Sequence, residues 1–239
     1  MSRWHAAVLL IALHCTSAFA LTPDEIIAVL RDPVHSTGNV ADAVDEATGA
    51  RGWMSSDMKP ILDTKIVGRA ATALMRPVLK NDGRKYQNHL LEILDQAEPG
   101  SILVYVMQDG LEIAAMGNLM ATTAKVRGLA GVVIDGAVRD VTEIRQIGLP
   151  VWSRRVSPAT PVGRRVSGGK RIPVQCGGVT VNPGDYLVAD ADGVVVVPQA
   201  AAERVVELLA QYADKEARMV PIINETRSML KAIERYNRY

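Results

Sequence analysis

GNLMATTAKVRGLAGVVIDGAVRDVTE, Gly117 to Glu143, is the stretch whose reading decides the fold. Ile113 to Met116 is a short apolar run, and Gly117-Asn118-Leu119-Met120 follows it and opens a helical segment that closes at Gly128. A buried-type strand comes next, Val132-Val133-Ile134, and then the turn Asp135-Gly136-Ala137-Val138-Arg139-Asp140 leads into a second helical segment. Strand, turn, helix, repeated, is the pattern of βαβ units in a parallel sheet. Ligands of such sheets gather at the carboxyl ends of the strands, where both turns would sit. The first turn offers backbone N–H groups at a helix start, which suit an anion. The second offers Arg139, able to hold a carboxylate through two parallel hydrogen bonds, and Asp140, able to hold a hard cation that keeps most of its waters. Read from residues alone, the pair could equally be a surface ion pair at a helix start, with Asp140 as the cap of its own helix.

The chain has 239 residues, 48% of them apolar, enough to bury one full core. A net charge of +1 gives no global attraction to nucleic acid or to an acidic membrane. The first twenty residues stand apart. A basic start, Met1 to His5, precedes an apolar run from Ala6 to Leu13, too short to span a bilayer, and an A-x-A site at Ala18-Phe19-Ala20. This predicts a signal peptide over 1–20, cleaved after Ala20, and a secreted or periplasmic mature chain with no stable membrane anchor. Residues 21–239 then form one domain. Cleavage removes Cys15, leaving Cys176 as the single thiol, read as packing in an apolar strand.

Thr22-Pro23-Asp24-Glu25 has the composition of a helix capping box. Pro33 ends that helix, and a second follows His35-Ser36-Thr37. His35, in a loop with no carboxylate or second ligand beside it, reads as solvated. Ile66 to Met75 is a strand, Asn81-Asp82-Gly83 a turn and Tyr86 to Ala97 a helix. Ile102 to Val106 is a covered central strand. Asp109-Gly110 is a hairpin-type turn that returns the chain through Ile113 to Met116. Arg154, Arg155, Arg164, Arg165, Lys170 and Arg171 lie in a stretch without aromatic residues to stack bases, which reads as an anion-attracting rim or, preferred over it, a solvated loop. Short strands follow from Val174 to Val197, and the Asp190 to Gly193 turn lacks the later ligands of a calcium loop. A charged helical tail starts near Gln199, and Pro221 is expected to divide it in two.

Gly117, a spacer, Arg139-Asp140 and Glu143 make up a motif that resembles that of the RraA-like superfamily, which includes the 4-hydroxy-4-methyl-2-oxoglutarate aldolases, or class II pyruvate aldolases. Gly131 to Gly136, and Pro173 to Asp185, agree with it, and the likeness runs from about Val34 to Pro198. The resemblance implies an α/β fold: an αββα sandwich of swivelling-domain type, with a parallel or mixed β-sheet core and flanking N- and C-terminal helices. It implies a homotrimer, or a hexamer of two trimers, with the site between subunits. It implies Mg2+ or Mn2+ on Asp140, a pyruvate unit on Arg139, and a cradle of N–H groups from Asn118, Leu119 and Met120. Glu216, from the C-terminal helix of a neighbouring subunit, would face the metal waters. The implied reaction is retro-aldol cleavage of a 4-hydroxy-2-oxo acid to pyruvate, with oxaloacetate decarboxylation through the same enolate.

One residue departs from the family pattern. Aldolases of this kind carry Asp or Glu directly after the motif glycine, bonding a metal-bound water; here Asn118 stands there. Asn accepts a hydrogen bond but adds no charge and cannot act as a base. The alternative function is therefore a non-catalytic, ring-shaped binding protein of the same family. Export argues against a role in regulating cytosolic ribonucleases. A menaquinone methyltransferase, a label carried by some relatives, would need a G-x-G-x-x-G loop after a strand, and the chain has none.

Overall fold

The centre of the fold is a strand in which every side chain is buried, because both of its faces are covered, and its one polar group, the Tyr105 hydroxyl, donates to the Leu90 carbonyl at 2.9 Å. The structure is a computed structural model and describes residues 20–62, 64–78 and 88–236. All but the last residue of the expected signal peptide, and the Asn81-Asp82-Gly83 turn, lie outside the described residues. The elements in chain order are α1 (Pro23–Arg31), α2 (Thr37–Thr48), β1 (Lys59–Pro60), β2 (Ile66–Pro77), α3 (His89–Gln96), β3 (Ile102–Met107), β4 (Ala114–Met116), α4 (Asn118–Val126) and β5 (Gly131–Val138). Then come α5 (Val141–Ile147), β6 (Val151–Val156), β7 (Arg165–Lys170), β8 (Val174–Cys176), β9 (Val179–Val181), β10 (Tyr186–Ala189), β11 (Val194–Val197), a 3-10 turn, α6 (Ala202–Thr226) and α7 (Met229–Tyr236).

The main sheet runs β1-β6-β5-β3-β2-β10-β11, with β4 beside β5 and β7 beside β2. β2, β3, β5 and β6 are parallel. β1, β7, β10 and β11 pair antiparallel to their neighbours. This is the expected mixed α/β fold with flanking helices. Three apolar clusters fill it. One lies between the parallel strands and α3, α4 and α5, around Tyr105, Ile134 and Ile144. A second lies inside the curled sheet around Trp152 and Val104 and is closed by the β8–β9 hairpin. The third holds α1, α2 and α6 against β10 and β11. Cys176 is fully buried in the second, as packing.

Local chemistry explains the element ends. The Thr22 hydroxyl accepts from the Glu25 N–H while the Glu25 carboxylate takes the Thr22 N–H at 2.7 Å, completing the capping box. Ser36 caps α2 by accepting from the Asn39 N–H at 3.1 Å. The Asp192 N–H donates to Asp190 Oδ1 at 2.9 Å, so that pair is turn chemistry.

Four expectations are corrected. Asp109-Gly110 does turn, with the Gly110 N–H on the Met107 carbonyl at 2.8 Å. The chain does not come back as a hairpin, however. β4 resumes the direction of β3 and takes its place beside β5, parallel to it. β5 runs on to Val138, so Asp135 and Gly136 belong to the strand and the second turn is only Arg139-Asp140. α6 passes through Pro221 and ends at Thr226, where Arg227 turns left-handed with φ 50°. Pro221 and Ala217 are both exposed, so the carbonyl that loses its helical partner is solvated. The arginine-rich stretch is not a free loop: Arg154 bridges Asp57 and Asp135, each at 3.0 Å, and Arg165 is buried with its guanidinium on the Asp109 carbonyl.

Among the described residues no helix is long and apolar enough to cross a membrane. Gly68 marks a close approach in the sheet, where a Cβ would lie 2.3 Å from the Gly100 carbonyl oxygen. Gly68→Ala should therefore lower the unfolding free energy by about 1–3 kcal/mol in a denaturant titration. A change within error would show that the two backbones are not in contact.

Candidate active site

β4 and β5 lie side by side and parallel, with Ala114 opposite Ala137 and Met116 opposite Val138. The residues that follow them, Gly117 and Arg139, are therefore neighbours in space although a helix separates them in sequence. The Arg139 N–H extends the ladder by one rung, donating to the Met116 carbonyl at 3.1 Å. Asp140 then adopts the left-handed region, φ 57° and ψ 43°. Asp tolerates this better than most residues, at some cost in strain. The turn swings its carboxylate back over the start of α4. Asp140 Oδ2 accepts the Asn118 N–H at 2.9 Å.

Asp140 thus stands at the start of its own helix without capping it by its side chain, and instead satisfies the first N–H of the helix next door. The reading of Asp140 as the cap of α5 is overturned. Gly117 is extended, φ −132° and ψ −169°, a conformation open to any residue. Its smallness is what matters. A Cβ there would lie 2.5 Å from Asp140 Oδ2 and 2.9 Å from Arg139 Nε. The Arg139 Nε stands 3.9 Å from Asp140 Oδ2, with side chains 44% and 34% exposed, so both charges can meet a ligand from solvent.

Gly117, Asn118, Arg139 and Asp140 are brought together as the sequence suggested. One detail changes. The Asn118 N–H is engaged by Asp140, so of the three N–H groups expected to cradle a carboxylate only those of Leu119 and Met120 remain for one. Leu119 is exposed and Met120 half-buried. Glu143 is exposed in the first turn of α5. Glu216 lies elsewhere within the chain, on α6 against α2, where it accepts from Asn39 Nδ2 at 3.2 Å.

His35 is not solvated: it is 6% exposed, and its carbonyl accepts from Lys65 Nζ at 2.6 Å. Burial, above all, pushes its imidazole pKa down, with Lys65 adding to this and Asp32 and Glu216 opposing it. The sequence reading also missed Asp135 as a strut. It holds Arg154 through one oxygen and the Gly177 N–H, at 2.8 Å, through the other, tying β5, β6 and the β8–β9 hairpin together. An acidic residue inside an otherwise apolar strand was the available signal.

Among the described residues no three His, Cys, Asp or Glu side chains gather as a metal site. A cation at Asp140 would draw its remaining ligands from water and substrate. That fits Mg2+, which keeps several waters and commonly binds through one or two carboxylates. The exposed carboxylate with one oxygen outside the Asn118 bond meets that need.

Two outcomes are expected. Asp140→Ala should cost about 1 kcal/mol, the scale of a lost cap, and speed hydrogen exchange at the Asn118 amide; unchanged exchange would contradict the bond. Because the folded state lowers the His35 pKa below its ordinary 6.5, the unfolded chain takes up the proton first as pH falls. Stability should decline below pH ~6.5, level off once the folded state also protonates, and decline less in His35→Gln.

Residues 37–196 match the family model described as RraA-like, Aldolase/RraA. A protein of Halalkalibacterium halodurans, provisionally named 4-hydroxy-4-methyl-2-oxoglutarate aldolase, is 32% identical over 181 residues, which are 75% of this chain and 80% of that one. A shorter match, 38% identical over 109 residues, covers 46% of this chain and 67% of an Ectopseudomonas mendocina protein with the same provisional name. Among solved structures, Streptomyces coelicolor RraAS2, described as an unusual member of the RNase ES inhibitor RraA family, superposes with a TM-score of 0.73 at 27% identity, over 83% of this chain and 97% of that one. Gly117 and the Arg139-Asp140 pair thus sit in a chain that belongs to the RraA-like family.

Proposed function

We propose that the protein is a divalent-metal-dependent lyase that cleaves 4-hydroxy-2-oxo acids of the 4-hydroxy-4-methyl-2-oxoglutarate type to pyruvate, and that it also decarboxylates oxaloacetate. The observation that carries the proposal is the convergence of an exposed guanidinium and an exposed carboxylate on a glycine that leaves them room. The aldolase names of relatives support the same reaction class. Arg139 binds the 1-carboxylate and 2-oxo oxygen of the substrate. The N–H groups of Leu119 and Met120, at the positive end of α4, receive the carboxylate from the other side. Asp140 would hold Mg2+ or Mn2+, which when bound supplies positive charge for the negative charge developing on the 2-oxo group.

The bond that breaks joins C3 and C4. Its electron pair stays with C3 and delocalises onto the 2-oxo oxygen as an enolate. The proton leaves the 4-hydroxyl, whose carbon becomes the carbonyl of the second product, and a proton returned to C3 gives pyruvate. Arg139 acts on the enolate charge, which exists only after C–C cleavage begins, so it lowers the barrier and does not merely bind substrate. The working unit in this reading is a trimer or hexamer in which Glu216 of a neighbouring copy reaches the site and serves as proton carrier. The chain is exported, with residues 1–20 removed.

Asn118 favours a second reading, a ring-shaped binding protein without catalysis, because it leaves the first position of α4 uncharged. One assay separates the two. With Mg2+ or Mn2+, mature protein should release pyruvate from 4-hydroxy-4-methyl-2-oxoglutarate or oxaloacetate, and chelator, Arg139→Ala or Asp140→Ala should each abolish release. Activity untouched by either substitution removes the lyase reading. Asn118→Asp should tighten Mn2+ binding roughly tenfold, about 1.4 kcal/mol; no change would remove Asn118 from the metal's surroundings.

A further inference from the structure

A cleft of about 750 Å³ opens at the opposite end of the sheet from Arg139 and Asp140. It lies where β3 begins, while the candidate active site lies where β5 ends; the 8 residues of β5 put roughly 20 Å between the two. Three guanidiniums line it, from three distant segments: Arg31 at the end of α1, Arg69 in β2 and Arg171 after β7. Each is held by neutral oxygens. Arg31 Nη2 donates to the Val67 carbonyl at 3.4 Å. Arg69 donates to the Gly184 carbonyl at 3.2 Å and to Gln199 Oε1 at 3.0 Å. Arg171 Nη2 donates to the Gln96 carbonyl at 3.4 Å. Among the described residues none of the three is ion-paired with a carboxylate.

An arginine fork has five N–H donors, and these contacts use one or two of each. The rest are left for a ligand. Arg171 also sits in the left-handed region at φ 51°, a conformation costly for a residue of this kind. Carbonyls at the end of α3 would repel an anion, but Arg171 covers that of Gln96 and Arg127 covers that of Ala97 at 3.3 Å. Asp24 and Glu98 border the cleft without pairing with any of the three arginines. A volume of this size suits a small metabolite, not a single ion.

We propose that this cleft is a second ligand site, for a small molecule bearing two or more oxyanion groups, carboxylate or phosphate, each met by one of the guanidiniums. It is independent of the lyase site and of the reading given to it. Citrate and pyrophosphate are the probes, titrated by calorimetry against the full-length mature protein at constant ionic strength and without divalent cations. At least one should bind saturably, and the one that binds more tightly identifies the carboxylate or phosphate class. Arg31→Gln and Arg171→Gln should each weaken it at least about tenfold, while Arg139→Ala leaves it unchanged. Asp24→Asn, which removes a nearby negative charge, should tighten it. Arg171 also caps α3, so if its variant unfolds, Arg31→Gln decides the matter. No saturation by either probe up to about 10 mM, equal binding by wild type and Arg31→Gln, or binding lost in Arg139→Ala would overturn the proposal.

Discussion

A single hydrogen bond, from the Asn118 N–H to the Asp140 carboxylate, joins the two turns of the candidate site. It depends on two conditions. Parallel pairing of β4 with β5 sets the turns side by side, and the lack of a side chain at Gly117 lets the carboxylate pass. Given both, the Asp140 carboxylate is pinned over the start of α4, and the Arg139 backbone is anchored to Met116 beside it, while the exposed guanidinium keeps its reach for a ligand. That is the kind of preorganisation on which electrostatic catalysis rests.

The bond also explains the division of labour among the first residues of α4. The N–H nearest Asp140 is spent on structure. Those of Leu119 and Met120 point out from a helix start whose peptide dipoles favour negative charge. In the proposed function, the carboxylate and oxo oxygen of a 2-oxo acid would be shared between the Arg139 guanidinium and these two N–H groups. Asn118 adds no charge at the first position of α4, so in the proposed reading Asp140 is the carboxylate of this chain that attracts the cation, within an unchanged backbone frame.

Much of this was legible in the residues. Gly117, the spacer and Arg139-Asp140 were expected to lie together, and they do, because a parallel sheet permits few ways of bringing a loop glycine and a distant charged pair into contact. The capping box at Thr22 and the turn after Asp190 are local chemistry, and local chemistry reads well. What was not legible involved partners remote in sequence. Asp109-Gly110 signals a turn whether the chain then reverses or steps sideways, and only the pairing of β4 with β5 decides between them. The arginine-rich stretch reads as solvated until Asp57 and Asp135 are placed beside Arg154. Pro221 looked like a stop, yet at an exposed position it costs one backbone bond, which packing through Tyr212 and Met219 offsets. The contribution of Asp140 to α4 had no local signal at all, since the bonded residues are 22 apart.

The central claim is that Arg139, Asp140 and the Gly117 turn form one site for a cation and a 2-oxo acid. Calorimetric binding of oxalate, a flat dianion shaped like the enolate of pyruvate, tests it most directly. One oxalate should bind per chain in the presence of Mg2+, and binding should vanish on chelation and in Arg139→Ala. Oxalate bound equally well without Mg2+, or by the Arg139→Ala protein, would contradict the account.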